Sequence, residues 1–129
     1  MIIENVKLSK LDELNHNNFI LPTPVITDFI EKNPSFEVYC GIEFRITTPL
    51  EEASHLLYNL SIKEGFLYGD VEILDMPQGE ILKDLIKKFG EEKLCGAYVA
   101  KVDNSNENVK VIEDVSKVMC FYSETGRDY

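Results

Sequence analysis

The spacing of apolar and polar residues changes several times along the chain, and each change marks an element. From Phe36 to Ile46, Phe36, Val38, Cys40, Ile42, Phe44 and Ile46 alternate with Glu37, Tyr39, Gly41, Glu43 and Arg45. That period of two predicts one long strand. Alternation returns at Leu56, Tyr58, Leu60 and Ile62, and an extended run follows from Phe66 to Leu74. Lys63-Glu64-Gly65 between them supplies a turn, so the two runs predict a hairpin with Leu56, Tyr58, Leu60 and Ile62 sharing one face.

Two stretches have helical spacing instead. Thr23 reads as an N-cap with Pro24 at the first helical position, and Ile26, Phe29 and Ile30 share a face until Asn33-Pro34 ends the helix. Asp75-Met76-Pro77 opens a second helix, whose stripe of Ile81, Leu82, Leu85, Ile86 and Phe89 is expected to dock on the sheet before Gly90 stops it. Met1 to Leu8 predicts a first strand, and Thr48-Pro49-Leu50-Glu51 a capping box opening one helical turn. Lys93 to Asp103 predicts a strand, Asn104 to Asn108 a polar turn, and Val109 to Val111 with Val115 to Tyr122 one or two more strands. The expected class is α+β, a mainly antiparallel β domain carrying two helices.

At 129 residues the chain is expected to be one domain, 1–129, with a core that needs no disulfides. Its 28% charged and 44% hydrophobic residues exclude wholesale disorder. Thirteen Lys and Arg against 23 Asp and Glu leave a formal charge of −10, which argues against nucleic-acid and anionic-membrane partners because such a surface repels phosphate. No apolar run approaches the roughly 18 residues of a spanning helix, and the first ten residues do not read as a secretory signal. Cys40, Cys95 and Cys120 show no C-x-x-C spacing and read as free thiols in a reducing cytosol. With His16 and His55 the only histidines, no metal and no cofactor are expected.

Two residues could carry chemistry. His55 follows Ser54, and as strand neighbours the two are expected to point to opposite faces and not to pair. Its ordinary reading is a half-buried histidine bonded to backbone. Cys95 shares a strand face with Ala97 and Val99, and would become a nucleophile if His55 came within hydrogen-bond reach. The ordinary reading there is a small buried apolar residue. The acidic pairs Glu51-Glu52, Glu91-Glu92 and Glu113-Asp114 read as solvated surface, and the glycines form no nucleotide-binding pattern.

The stretch from Ser54 to Ile86, with Ser54-His55, then Leu67-Tyr68-Gly69-Asp70-Val71-Glu72-Ile73-Leu74, then Met76-Pro77-Gln78-Gly79, resembles the prohead (capsid maturation) serine proteases of tailed bacteriophages. That family shows an S-H strand, a hairpin of the form L-Y-G-x-V-x-I-L and a T-P-x-G helix. The resemblance implies a fold shared with herpesvirus assemblin, a β-barrel-like core with flanking helices, and places the catalytic histidine at His55. It also implies a serine nucleophile on the strand after the helix. Here Lys93-Leu94-Cys95-Gly96-Ala97-Tyr98-Val99-Ala100 contains no serine. Matching Lys93-Leu94 to the family's K-L puts Ala97 at the nucleophile, the favoured alignment, whereas counting from His55 puts Cys95 there. The family's acidic position near the end falls on Cys120-Phe121-Tyr122-Ser123, which has no acid.

These departures point to a degenerate, non-catalytic member. The implied role is an auxiliary or decoration component of the virion capsid that binds the major capsid protein or other head proteins. An active maturation protease using Cys95 and His55, or a dead regulator of the true protease, is the alternative. Strand edges at Met1 to Leu8 and Val118 to Tyr122 are expected to be open to another chain, including a second copy in a homo-oligomer.

Overall fold

A computed structural model describes residues 1–15, 18–106 and 108–123; His16 lies outside them. The class is α+β. One sheet has the order β1-β5-β4-β3, formed by Ile2–Lys10 (β1), Glu37–Cys40 (β3), His55–Lys63 (β4) and Phe66–Ile73 (β5). The other has the order β2-β7-β6, from Phe19–Ile20 (β2), Leu94–Asp103 (β6) and Lys110–Tyr122 (β7). Pairing is antiparallel except between β2 and β7. Helices α1 (Thr23–Lys32) and α2 (Pro77–Phe89) complete the fold.

The sheets do not join into the expected barrel. Leu8 of β1 packs beside Gly96 of β6, and the Tyr122 N–H donates to the Ile42 carbonyl at 2.7 Å, but these seams carry no ladder. The Val118–Tyr122 stretch is likewise not an open edge. It pairs with Leu94–Tyr98 of β6, and Ile42 takes the Tyr122 N–H on its other side.

Three register shifts interrupt the four-stranded sheet, one of them between Lys7 and Ser9, and the other two are bulges built on asparagines that periodicity alone hides. Between Ile3 and Val6 on β1, and between Tyr58 and Ser61 on β4, one extra residue is inserted opposite β5. Asn5 and Asn59 take φ of 54° and 56°, a left-handed conformation that asparagine tolerates better than most residues. Asp70 of β5 serves both bulges: its carboxylate accepts the Asn5 N–H at 2.9 Å and the Asn59 side-chain amide at 2.7 Å. The bulge shifts the parity of β4. His55 and Leu57 face the core before it, while Leu60 packs with Leu57 and Leu8 around Gly69 after it. The single face expected for Leu56, Tyr58, Leu60 and Ile62 is therefore broken at Asn59.

The hairpin turn itself is as expected, with Glu64 and Gly65 both at positive φ. The long strand over Phe36 to Ile46 is not. Only Glu37–Cys40 pairs, because β4 begins opposite Cys40 at His55 and offers nothing beyond it. Past Cys40 the chain crosses to the other sheet, where Phe44 sets its ring edge-on to Phe121, with centroids 6.0 Å apart, and the Lys117 ammonium donates to the Ile46 carbonyl. The turn at Leu50–Glu52 forms, with Pro49 at its cap and no side-chain capping bond.

Helix α1 starts one residue before the expected cap, whereas α2 starts where expected. Pro22 caps α1, and Thr23 turns its N–H and hydroxyl to the Asp12 carboxylate at 2.8 and 2.5 Å. These bonds hold the Asp12 carboxyl below its ordinary range. Helix α2 begins at Pro77 and ends at Gly90, but its stripe is rotated relative to the core. Gly79 sits so close to the Leu74 and Ser54 carbonyls that a Cβ would strike backbone, which seats this end of the helix through Gly79 and Leu82. Leu85 and Ile86 are consequently half-buried, while Ile81 and Phe89 are 47% and 56% exposed. Leu82→Ala is expected to cost about 2–5 kcal/mol, and Ile81→Ala in dilute solution under about 0.5 kcal/mol, as read from urea unfolding midpoints.

Candidate functional site

Three segments meet around His55. The Leu50–Glu52 turn leads through Ala53 into Ser54, whose N–H donates to the Cys40 carbonyl at 2.9 Å and whose carbonyl accepts the Leu74 N–H at 3.0 Å. Ser54 thus sits just before β4, held by β3 on one side and the end of β5 on the other. His55 opens β4 opposite Cys40 and Ile73. Ser54 and His55 are both fully buried, at 0% exposure.

Both imidazole nitrogens have partners. Nε2 lies 2.8 Å from the main-chain oxygen of Cys120 on β7, and Nδ1 lies 2.7 Å from the Ser54 hydroxyl. A carbonyl can only accept, so Nε2 carries the proton and Nδ1 accepts from the Ser54 hydroxyl. The Ser54 oxygen also lies 3.3 Å from the Cys40 carbonyl. The expectation that Ser54 and His55 cannot pair is thereby corrected: Ser54 precedes the strand, so strand alternation does not set its direction. The pair is sealed from solvent, and no substrate carbonyl can reach the hydroxyl without the core opening.

Burial pushes the His55 pKa down from the usual 6.5 to about 4, against an opposing contribution from its bond to the Cys120 backbone. Cys40, opposite His55, has its thiol pushed up to about 11 by burial. Its Sγ donates to the Val38 carbonyl at 3.7 Å.

The two candidate nucleophile positions lie on β6. Cys95 is buried, faces Phe121 across the ladder, and places Sγ 3.4 Å from the Lys93 carbonyl. Ala97 is opposite Met119. Both border a cavity of about 470 Å³ walled by Phe19, Phe44 and Phe121. Tyr98 closes one side with its hydroxyl against that of Ser9, and burial pushes its phenol well up. Among the described residues no group of three or more His, Cys, Asp or Glu is placed to hold a metal, and no helix is long and apolar enough to cross a membrane.

No family model and no curated protein matches the sequence. Among solved structures, the bacteriophage T4 capsid assembly protease superposes with a TM-score of 0.70 over 99% of this chain and 89% of that one, at 11% identity. The fold is that of a prohead protease. On this prohead-protease-like scaffold the positions singled out by the sequence resemblance fall on three strands: His55 at the head of β4, Cys95 and Ala97 on β6, and Cys120 on β7. The structure brings His55 to Cys120, through the main-chain oxygen and not a side chain.

The expected backbone bond of His55 is present, although the ring is fully buried and not half-buried, and sequence reasoning identified neither of its two partners. Ser54 escapes strand alternation because it precedes β4. The Cys120 carbonyl has no sequence signature at all, since every residue carries one.

The lowered pKa has a consequence for stability. The unfolded chain takes up a proton at His55 near pH 6.5, whereas the folded chain does so only near pH 4. The contribution is complete above pH 6.5 and is lost as pH falls through that window, to a total of roughly 3 kcal/mol. His55→Gln, which keeps an N–H for Cys120, is expected to flatten the pH dependence of urea stability between pH 6.5 and 5.

Proposed function

We propose that this chain is a non-cleaving phage head protein: a prohead-protease-like module that works by binding the major capsid protein or other head components as an auxiliary part of the capsid. The observation that carries the proposal is the state of His55. A general base must hold a nucleophile that substrate can reach, yet the hydroxyl on Nδ1 belongs to the fully buried Ser54, and Nε2 is spent on a carbonyl. The favoured nucleophile position, Ala97, has no group that can attack a carbonyl. The formal charge of −10 further favours a protein surface over packaged DNA as the partner.

One observation favours a second reading. Cys95 borders the 470 Å³ cavity, so a thiol stands beside a space that an apolar peptide side chain would fill. In that reading the chain is a maturation protease using Cys95 and His55, and Ser54 and Cys120 would have to release the imidazole first.

Purified protein is expected to leave capsid and scaffold peptides intact, with wild type and Cys95→Ala indistinguishable. Mature heads should carry copies that survive moderate salt. Processing by wild type that disappears in Cys95→Ala would establish the cysteine protease instead. Mature heads that require the protein yet lack it would assign it to regulation of a separate protease.

A further inference from the structure

Helix α2 leaves part of its apolar stripe uncovered. Ile81, Leu85 and Phe89 lie four residues apart and share one flank, with Ile81 and Phe89 about half exposed. At the Phe89 end, Leu85, Phe89, Lys93 and Tyr122 surround a notch of about 280 Å³. At the Ile81 end a bare aliphatic side chain projects. The flank therefore carries a knob at one end and a hole at the other.

Charge follows the same polarity. Glu80 and Asp84 accompany the knob, whereas Lys88 and Lys93 accompany the hole; Glu91 and Glu92 come only after the helix has ended at Gly90. Lys83 is engaged by Glu80 at 3.2 Å on the neighbouring flank. Two such helices laid antiparallel about Leu85 would bring Ile81 of each copy to the notch of the other. The same operation sets Asp84 of each copy near Lys88 of the other and opposes the helix dipoles. A surface that complements itself under a twofold rotation is what a symmetric dimer requires.

We propose that the Ile81, Leu85 and Phe89 flank of α2 is a homodimer interface, with a second copy of this chain as its occupant. This inference is independent of whether the chain cleaves peptides. A contact built on one helix of 13 residues falls at the small end of specific interfaces, so association should depend on concentration.

Sedimentation velocity over a concentration series of the full 129-residue chain tests it. A monomer–dimer equilibrium is expected, abolished by Ile81→Glu while circular dichroism and the unfolding midpoint of the dilute protein stay as in wild type. Asp84→Lys should weaken association roughly tenfold, because each lost pair counts twice by symmetry. Adding Lys88→Asp to it should restore the affinity, since the swapped charges again complement each other. A chain that stays monomeric throughout the series, or a dimer indifferent to Ile81→Glu, overturns the proposal. So does a dimer that the charge swap fails to rescue, which would place the contact elsewhere.

Discussion

The hydrogen bond from His55 Nε2 to the Cys120 carbonyl joins the two sheets from inside. His55 belongs to the sheet of β1, β3, β4 and β5, and Cys120 to that of β2, β6 and β7, so one imidazole spans a boundary that strand pairing leaves open. Nearby, the Tyr122 N–H reaches the carbonyl of Ile42, in the segment that follows β3, so within three residues β7 makes one bond to the other sheet and one to the chain leaving it. In a dry interior such bonds matter mainly because leaving either partner unpaired is costly. The same requirement fixes Ser54, which completes the imidazole, and Gly79, whose close approach to the Ser54 carbonyl seats α2. A polar group at the centre thereby sets the position of a helix at the periphery.

Much of the architecture was legible because its signals are local. Glu64-Gly65 at positive φ, Pro77 at the start of α2 and Gly90 at its end act on their own neighbours, and the chain obeys them. The errors arise where a distant residue decides. The alternation from Phe36 to Ile46 is unbroken in sequence, yet strand pairing stops at Cys40 because the partner strand has not begun, and the remainder crosses to Phe121 and Tyr122 instead. Alternation from Leu56 to Ile62 hides the bulge at Asn59, whose amide bonds to Asp70 eleven residues away. At the site, His55 was recognisable, but its environment was not, since it consists of a serine ahead of the strand and a main-chain oxygen 65 residues on.

Those facts bear on how a protease-like scaffold would serve the proposed binding role. The position that the family resemblance reserves for a base is occupied by a histidine held neutral and enclosed, and the favoured nucleophile position by an alanine. What a base needs, an accessible nitrogen with a pKa near the working pH, conflicts with what a buried bridge needs, a fixed proton and no water. His55 meets the second set of conditions. On the proposed non-cleaving reading, function falls to surfaces outside the core, among them the uncovered flank of α2.

The most direct test of this account is the tautomer and titration of the His55 imidazole, followed by long-range nitrogen–proton NMR correlation as pH is lowered. The account predicts a neutral ring with the proton on Nε2, a slowly exchanging Nε2–H, and no protonation until pH approaches about 4. A ring protonated on Nδ1, or a titration midpoint near 6.5, would show that His55 is solvent-accessible and is not the bridge between the sheets.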